Sequence, residues 1–438
     1  MPNSPTIFIS AGEASGEHYG ALLIEALKKQ LAASDQTARF FGMGGQRMVS
    51  AGLDCVVRSE DMAVMGLTEV LLHLPRIYRE FRKLKKAIRD QRPSIAVLID
   101  FPEIHFRLAR QLHRLGVPVI FFVSPQLWAW KKHRIKLVQE FIRRMLVIFP
   151  FEEPFYREHG VQAEFVGHPL AELPLPAISR AEFAAANKLD PTKIWIALLP
   201  GSRPREIRDH LPEMLEAAWS LSGNPRNASD RGKGGNTDPL LELSAHLPHR
   251  RRRSDLFEFV VPLAPTLNEA QRRAVLDLVD DRGGGLFIRV VEDARAALFH
   301  ARASVVASGT ATVEAALMGN PFVVVYRVSP LTYAIARRLV KVAHVAMVNL
   351  IAGKRIVPEL IQQDFTVAKV VQQMEQLLPN GPPRQFMMED LARIRGLLHR
   401  RPADQNGQSV SAINRVAAIT LDELRTAPPA RNGNSVQA

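Results

Sequence analysis

TIFISAGEASGEHYGALLIEAL, residues 6–27, decides the fold class. Its first five residues are rich in β-branched and aromatic side chains, which predicts a strand. Three glycines and several other small residues follow, and a helical pattern then runs to Leu27. A strand, a tight turn and a helix in this order form the unit from which parallel sheets with crossover helices are built.

The same unit recurs along most of the chain, which predicts an α/β protein made of two Rossmann-like lobes. Residues 75–91 predict one of the intervening helices, which is amphipathic and carries a strongly basic face. The apolar runs predict strands at residues 6–10, 38–43, 95–99, 117–123, 145–149, 163–167, 194–199, 257–263, 286–291, 303–308 and 321–326.

The 438 residues favour two domains. Three prolines between Gly167 and Arg180 interrupt the pattern, so we expect the boundary there. Residues 222–255 are rich in Gly, Asn, Asp and Pro and predict a flexible insertion. The expected organisation is a first lobe at 1–172, a second lobe at 173–380, further helices at 381–425 and a disordered tail at 426–438.

Composition excludes several protein classes. Hydrophobic residues make up 47% and charged residues 23%, which excludes global disorder and a coiled coil. The net charge of +13 suits phosphate, anionic lipid or nucleic acid as a partner. The single cysteine, Cys55, excludes an intrachain disulfide and a multi-thiolate metal site. The first residues do not resemble a signal peptide, and we expect a cytoplasmic protein.

The first turn is a candidate ligand site, because a strand end and a helix N-terminus bring N–H groups to one point. We assign Glu13, Ser15 and Gly16 to this site, and a purely structural turn is the alternative. The glycine spacing does not match GxGxxG, which argues against a dinucleotide cofactor. Asp100 ends another predicted strand, at the edge where open α/β sheets bind ligands. It is either a catalytic carboxylate or a helix cap.

Two further candidates lie in the first lobe. VSPQLWAWKKHRIK (residues 123–136) sets Ser124 and Trp128 beside a cluster of cations. Aromatic faces next to cations suit a sugar, a base or a lipid headgroup, and buried tryptophans above a solvated basic helix are the alternative. His168, in the sequence GHP, is either a cleft residue or a core histidine.

The strand–turn–helix unit occurs at two further places, both in the second lobe. They are LLPGSRPREI (198–207) and ASGTATVEAAL (307–317). Glycine gives the backbone room, and N–H groups with Arg203 suit a pyrophosphate. Glu314 follows the second turn and suits the hydroxyls of a ribose. We therefore expect a nucleotide in this lobe. The candidate residues are Gly201, Ser202, Arg203, Ser308, Gly309, Thr310 and Glu314.

Ten motifs in order resemble those of the lipid A disaccharide synthase family, whose members are inverting glycosyltransferases of the two-lobed GT-B type. They span residues 6 to about 365. The motifs are SAGEASGE, GMGG, MAVMGLTEVL, VSPQLWAW, FPFE, FVGHP, LLPGSR, ASGTATVEAAL, YRVSPLTYAIARRLVK and VNLIAGKRIVPELIQ. The resemblance implies an acceptor in the first lobe, a UDP-sugar in the second, and last helices that pack back on the first lobe or exchange between subunits of a homodimer.

The resemblance also implies a reaction. 2,3-Diacylglucosamine would pass from its UDP donor, UDP-2,3-diacylglucosamine, to 2,3-diacylglucosamine 1-phosphate, forming the β-1′,6 disaccharide of lipid A and UDP. Asp100 becomes the candidate general base, Arg203 lies on the phosphates, Glu314 lies near the ribose, and Asn349 joins the UDP site. No metal and no cofactor are implied.

The chain departs from the family pattern next to Asp100. The family usually has Asp-x-Pro-Asp-Phe-Asn, whereas this chain has Glu103 and His105 at the last Asp and the Asn. Glu17 also replaces a more usual Asp. The departures leave Asp100 intact and leave the roles of Glu103 and His105 open.

Acylated substrates lie in a bilayer, which gives residues 62–89 a predicted role on the anionic inner-membrane surface. We expect peripheral attachment on the cytoplasmic face. The alternative is that the apolar members of this segment belong to the core. The candidate contact residues are Met62, Val64, Met65, Leu67, Arg82, Lys83, Lys85 and Lys86.

Two other classes compete with this interpretation. One comprises other two-lobed UDP-sugar enzymes, such as the muramyl-lipid N-acetylglucosaminyltransferase or a UDP-N-acetylglucosamine 2-epimerase, in which SAGEASGE and VSPQLWAW are not expected. The other is a nucleic-acid binder, suggested by the net charge and the arginine run at 250–253. Anionic substrates and membrane explain the same charge, so we expect no nucleic acid partner.

Overall fold

The computed structural model describes residues 4–62, 67–129, 132–223, 240, 253–339, 342–399 and 410–426. The chain forms two compact units. The N-terminal unit comprises Met1–Glu172 and Leu398–Ala438, and the C-terminal unit comprises Leu173–Leu397. Each unit contains one parallel sheet with helices, so the predicted α/β class is confirmed. Most of the predicted insertion at 222–255 and the tail after residue 426 lie outside the described residues.

A seven-stranded parallel sheet forms the centre of the N-terminal unit. Its strands are β1 (Thr6–Ala11), β2 (Arg39–Gly44), β3 (Asp54–Arg58), β4 (Ile95–Ile99), β5 (Val119–Phe122), β6 (Arg144–Val147) and β7 (Ala163–Phe165). Its first six helices are α1 (Ala14–Ala32), α2 (Gln46–Ser50), α3 (Leu67–Gln91), α4 (Pro102–Arg114), α5 (Ile135–Phe141) and α6 (Glu152–Glu158). The strand order is β3-β2-β1-β4-β5-β6-β7.

Strands β1 and β4 are neighbours at the point where the strand order reverses. Ala11 at the end of β1 is in register with Ile99 at the end of β4. The chain leaves these strands toward opposite halves of the sheet, and open α/β sheets form a crevice at such a switch point. The turns that begin at Gly12 and Asp100 therefore start side by side.

The C-terminal unit repeats this plan with six parallel strands in the order β10-β9-β8-β11-β12-β13. Its strands are β8 (Ile194–Leu199), β9 (Phe257–Pro262), β10 (Ile288–Val291), β11 (Ala303–Ala307), β12 (Phe322–Tyr326) and β13 (Glu359–Ile361). Its helices are α7 (Arg180–Asn187), α8 (Pro204–Leu221), α9 (Arg253–Leu256), α10 (Glu269–Gly283), α11 (Ala294–His300), α12 (Thr310–Leu317), α13 (Pro330–Leu339), α14 (Met347–Ala352), α15 (Val367–Leu377) and α16 (Pro382–Leu398). Strands β8 and β11 are paired at its switch point.

The last helix, α17 (Ala412–Thr426), packs on the N-terminal unit against α1. Its buried face includes Val416 and Ala417. Arg415 of this helix pairs with Glu164 at 2.6 Å, and Arg144 pairs with Glu423 at 3.1 Å. The predicted return of C-terminal helices to the first lobe is thus confirmed for α17. Helix α15 and nearly all of α16 belong to the C-terminal unit.

The sequence missed two strands and the start of one helix. Strands β3 and β13 lie at sheet edges and are only half buried, so their sequences lack the apolar runs of the central strands. Helix α3 begins at Leu67, eight residues before the predicted start at Pro75. Proline is favoured in the first turn of a helix and disfavoured inside one, which is why the sequence predicts the start of this helix too late.

Candidate active site

Asp100 lies in a strained turn directly after β4. Asp100 and Phe101 have φ angles of +53° and +50°, in the left-handed region that costs non-glycine residues about 1–3 kcal/mol each. The Asp100 N–H donates to the carbonyl oxygen of Phe122 at 2.9 Å. The ring of Phe101 lies on Gly12, where a Cβ atom would stand 2.2 Å from Cδ1 of the ring. Glycine at residue 12 therefore allows this turn.

Two carboxylates meet at the switch point of the N-terminal sheet. Burial, reinforced by the charge of Glu13, raises the pKa of Asp100 to about 6. Glu13 precedes α1 in extended backbone and Ser15 is exposed. A Cβ atom on Gly16 would stand 3.5 Å from the Ile99 carbonyl oxygen, so this glycine lies close to the end of β4. The structure thus brings the predicted first turn and Asp100 together.

His105 lies beneath this turn and is fully buried. Its Nδ1 is 2.5 Å from the carbonyl oxygen of Asp100, and its Nε2 is 2.9 Å from Oγ of Ser10. Burial lowers the pKa of His105 to about 4, so the ring is neutral at physiological pH. Sequence reasoning left its role open because nothing in the local pattern reveals the contact with Ser10.

Ser124 and Trp128 converge on Glu152, a residue that the sequence did not single out. Oγ of Ser124 donates to Glu152 Oε1 at 2.6 Å, and Nε1 of Trp128 donates to the same oxygen at 3.2 Å. Glu152 is buried, and this burial raises its pKa to about 7. The three side chains join the loop after β5 to the start of α6, and Ser124 is itself buried.

His168 is a buried histidine. Its ring packs 5.3 Å from the ring of Phe149, and its Nδ1 accepts a hydrogen bond from the Leu170 N–H at 3.2 Å. Burial lowers its pKa to about 3, so it is neutral. Of the two alternatives that the sequence left open, the structure shows the core environment.

In the turn after β8, the carboxylate of Glu206 occupies the position that the sequence assigned to a phosphate. Gly201 has a φ of +121°, and a Cβ atom there would lie 2.5 Å from Oε2 of Glu206. The same oxygen accepts the N–H groups of Ser202 and Arg203 at 3.1 and 3.3 Å. These are the N–H groups that the sequence assigned to a pyrophosphate. Helix α8 uses Glu206 to cap its own N-terminus, while the Arg203 side chain is half exposed.

The turn after β11 lies next to the turn after β8, because Leu199 and Val306 are in register near the ends of these two strands. Gly309 has a φ of +153° and is the N-cap residue of α12. Since glycine has no side chain to cap the helix, the first N–H groups of α12 are accessible to an anion. Ser308 is half buried, and Gly309 and Thr310 are exposed. Burial raises the pKa of Glu314, one turn further on.

Asn349 is buried in α14 and binds the segment that leads into β13. Its Oδ1 accepts the N–H groups of Ile356 and Val357 at 2.8 and 3.0 Å, and its Nδ2 donates to Glu359 at 2.7 Å. Glu359 also accepts the N–H of Ala346 at 2.9 Å. In this structure the amide of Asn349 is thus engaged by its own chain.

His210 joins the two loops that follow β8 and β12. Its Nδ1 is 2.7 Å from the carbonyl oxygen of Pro200, and its Nε2 accepts the N–H of Arg327 at 3.0 Å. The guanidinium of Arg327 pairs with Glu213 at 3.1 Å. Nothing in the neighbouring sequence signals the role of His210, because its partners are backbone groups 10 and 117 positions away.

The predicted membrane segment divides into three parts. Met62 is 3% exposed and packs in the core with Val57, so the expectation that it contacts lipid is wrong. Val64 and Met65 lie outside the described residues, and Leu67 starts α3 without a described side chain. The basic face of α3 is exposed at Arg82, Lys83 and Lys86 and partly exposed at Lys85.

Within the described ranges, no helix is long and apolar enough to cross a membrane. In the same part of the chain, no three His, Cys, Asp or Glu side chains come together as a metal site.

Comparisons with known proteins identify the family. The family model described as lipid-A-disaccharide synthetase matches residues 7–229 and 249–413. A lipid-A-disaccharide synthase from Acidobacterium capsulatum is 54% identical over 434 residues, which cover 97% of this chain and 98% of the relative. One from Koribacter versatilis is 45% identical, with 93% and 98% covered, and one from Myxococcus xanthus is 40% identical, with 91% and 94% covered.

Solved structures share the fold at low sequence identity. A UDP-GlcNAc 2-epimerase from Neisseria meningitidis bound to UDP-GlcNAc has a TM-score of 0.52 at 13% identity, covering 96% of this chain and 99% of that chain. A glycosyltransferase from Rickettsia africae has a TM-score of 0.52 at 10% identity, covering 97% and 100%. The fold alone does not separate transferases from epimerases, whereas the sequence relatives do. The chain belongs to the lipid-A-disaccharide synthetase family of glycosyltransferases.

Proposed function

We propose that this protein transfers 2,3-diacylglucosamine from UDP-2,3-diacylglucosamine to the 6-hydroxyl of 2,3-diacylglucosamine 1-phosphate. The products are the β-1′,6-linked disaccharide 1-phosphate and UDP. The observation that carries the proposal is the Asp100 carboxylate, held at the switch point of the N-terminal sheet with a pKa raised to about 6. It supports the family assignment with a group suited to deprotonate a sugar hydroxyl.

Asp100 acts as the general base in this mechanism. It accepts the proton of the acceptor's 6-hydroxyl while the oxygen attacks the anomeric carbon of the donor sugar and the bond to UDP breaks. A single displacement inverts the anomeric centre. Glu13 and the turn at Ser15 and Gly16 are proposed to bind the acceptor beside Asp100. Ser124 and Trp128, which share Glu152, are proposed to shape the loop after β5, and buried His168 to hold the loop at Phe149.

The C-terminal unit is proposed to hold the donor. The half-exposed guanidinium of Arg203 and the N-terminus of α12 at Ser308, Gly309 and Thr310 stabilise the negative charge that develops on the departing UDP. Glu314 accepts hydrogen bonds from ribose hydroxyls. Because the amide of Asn349 is bonded within the chain, its contribution is to hold the loops of the donor site.

The experiment that tests this function measures UDP release with and without 2,3-diacylglucosamine 1-phosphate. We expect acceptor-dependent release by the wild type and its loss, by a factor of 10² or more, in Asp100→Asn. The matched control is Glu103→Gln, since Glu103 is an exposed carboxylate in the first turn of α4 and pairs with Arg134. UDP release without acceptor, or full turnover by Asp100→Asn, would contradict the proposal.

We further propose that the basic face of α3 attaches the enzyme to the anionic cytoplasmic surface of the inner membrane. Its exposed cations favour anionic headgroups by about 1 kcal/mol each. Replacing Arg82, Lys83, Lys85 and Lys86 by Glu should weaken sedimentation with anionic vesicles and spare turnover of a detergent-dispersed substrate. The matched control reverses the same number of charges on α4 and α5, at Arg107, Arg110, Arg114 and Lys136. Equal loss in both variants would contradict this assignment.

A further inference from the structure

His105 has one protonation pattern that satisfies both of its contacts. The Asp100 carbonyl oxygen, 2.5 Å from Nδ1, can only accept a hydrogen bond, so Nδ1 carries the proton. Nε2 is then an acceptor for the hydroxyl of Ser10, 2.9 Å away. The ring is therefore fixed as one tautomer between β1 and the turn after β4.

The remaining contacts of His105 also converge on the turn. Its ring meets the ring of Phe101 edge to face, with the centroids 5.8 Å apart and an interplanar angle of 87°. Its backbone N–H donates to the carbonyl oxygen of Phe101 at 3.2 Å. On the other side the ring meets Phe121 at 6.0 Å. The side chain thus supports both left-handed residues from below.

This support is needed because the turn is strained. Asp100 and Phe101 would each gain free energy by leaving the left-handed region, and such a conformation persists only where its surroundings over-determine it. For Asp100 to leave this region, the chain must rotate about its N–Cα bond, which would move its carbonyl group and its side chain together and so change the direction of the carboxylate. The hydrogen bond from Nδ1 opposes that rotation, and Ser10 prevents the imidazole from following it.

We propose that His105 is a positioning residue, which fixes the direction of the Asp100 carboxylate through its bond to the Asp100 carbonyl oxygen. The inference rests on the proposed function of Asp100 as general base. His105 is fully buried, so it acts through Asp100 and not on the substrate. A displacement of the base by about 1 Å is enough to slow turnover by two orders of magnitude.

Two substitutions separate the two bonds of the ring. In His105→Asn the amide Nδ2 takes the place of Nδ1 and keeps the bond to Asp100, while the bond to Ser10 is lost. In His105→Gln the amide takes the place of Nε2 and keeps the bond to Ser10, while the bond to Asp100 is lost. Both variants remove one buried hydrogen bond and the aromatic ring, so their effects on stability should be similar.

The measurements are kcat, the KM of each substrate and the melting temperature. We expect kcat of His105→Gln to fall at least tenfold below that of His105→Asn, with similar donor KM values and melting temperatures. Equal kcat values, or a kcat that follows melting temperature in both variants, would overturn the inference. Ser10→Ala, which removes only the bond at Nε2, replaces His105→Asn in the comparison if that variant does not fold.

Asp100→Asn is assayed together with the His105 variants, so that a failure of the proposed function can be distinguished from a failure of this inference. If Asp100→Asn retains wild-type turnover, the proposed base is wrong. If it is inactive and the two His105 variants are alike, the base stands and the positioning role of His105 is rejected.

Discussion

At the scale of single residues, the surroundings of Asp100 give it its chemistry. An aspartate in water is half protonated at about pH 3.9. Burial and the neighbouring Glu13 raise the pKa of Asp100 to about 6. The carboxylate is therefore ionised at neutral pH, yet it binds a proton more strongly than an ordinary aspartate does, which favours proton transfer from a hydroxyl.

This pKa predicts an acid limb in the pH profile. Only the deprotonated carboxylate accepts a proton, so kcat/KM should fall as pH is lowered through about 6, approaching tenfold per pH unit below it. The measurement is kcat/KM between pH 5 and 8 with detergent-dispersed substrates. Glu13→Gln provides the matched variant, because removing the neighbouring charge should lower the pKa and move the limb to lower pH. A profile that stays flat to pH 5 would contradict Asp100 as the base.

The same pKa predicts that Asp100 destabilises the fold at neutral and alkaline pH. Its pKa is raised in the folded state, so the folded state favours the protonated form. Stability is therefore lost as pH rises from about 4 through about 6, and the loss is complete at neutral pH. Asp100→Asn removes the charge, and asparagine also tolerates the left-handed region. We expect this variant to unfold about 2–4 °C higher at pH 8, a gain of roughly 1 kcal/mol.

Thermal unfolding at pH 8 and pH 5 checks this expectation, since the gain should shrink at the lower pH. Asp90→Asn, which removes an exposed carboxylate at the end of α3, is the control. A melting temperature that falls equally at both pH values would show that the turn needs the aspartate for its structure.

The sequence located Asp100 because its position depends on a local pattern, a strand followed by a carboxylate. It did not single out Gly12 or assign a role to His105. Gly12 is required by the ring of Phe101, and His105 is explained by its bond to Ser10, which is 95 positions away. Such roles come from tertiary contacts, and nothing in the neighbouring sequence signals them.

At the scale of elements, the start of α8 shows how a helix can satisfy its first N–H groups with a side chain of its own. Glu206 accepts the N–H groups of Ser202 and Arg203, and its carboxylate also pairs with the Arg203 guanidinium at 3.5 Å. A diphosphate that binds here meets a negative charge already in place. The sequence pattern of glycine, serine and arginine predicted the turn correctly, but the capping role of the glutamate one turn later is equally typical of helix starts.

Removing that charge should strengthen donor binding. Glu206→Gln keeps an oxygen that can accept the two N–H groups and frees Arg203 for phosphate. We expect the donor KM to fall about two- to fivefold, equivalent to roughly 0.4–1 kcal/mol, with the acceptor KM unchanged. Steady-state kinetics at low ionic strength test this, and Asp209→Asn, on the next turn of α8, is the control. A raised donor KM would show that the carboxylate itself is needed to hold the turn.

At the scale of the whole molecule, alternation of strands and helices was enough to predict two α/β units. Parallel sheets with both faces covered need long apolar runs in their central strands, and these runs are easily recognised in sequence. The pairing of α17 with α1 is different. Helical periodicity does not encode which helix is the partner of which. The family resemblance implied only that the last helices return to the first lobe or exchange between subunits.

The N-terminal unit should therefore depend on α17. Ending the chain after residue 399 would expose the face of α1 that covers Val416 and Ala417, and leave Glu164 without Arg415. Each buried side chain that is lost removes about 1.5–3 kcal/mol of stabilisation. The sum over several of them approaches the free energy of unfolding of a whole domain. Limited proteolysis should cut residues 4–172 in this variant and spare 173–397. A chain ending after residue 426 is the control, and equal resistance of both would contradict the prediction.

The return of α17 also constrains the order in which the protein is completed on the ribosome. Roughly 240 residues separate Glu172 from Ala412. At 5–20 residues per second, about 12–48 s pass between the synthesis of the two positions. During that interval the first-made half keeps an uncovered apolar surface, whereas the second-made half is contiguous and can finish first. The growing chain thus reverses the usual N-to-C order, and its first half is the part that needs protection from aggregation until α17 has been synthesised.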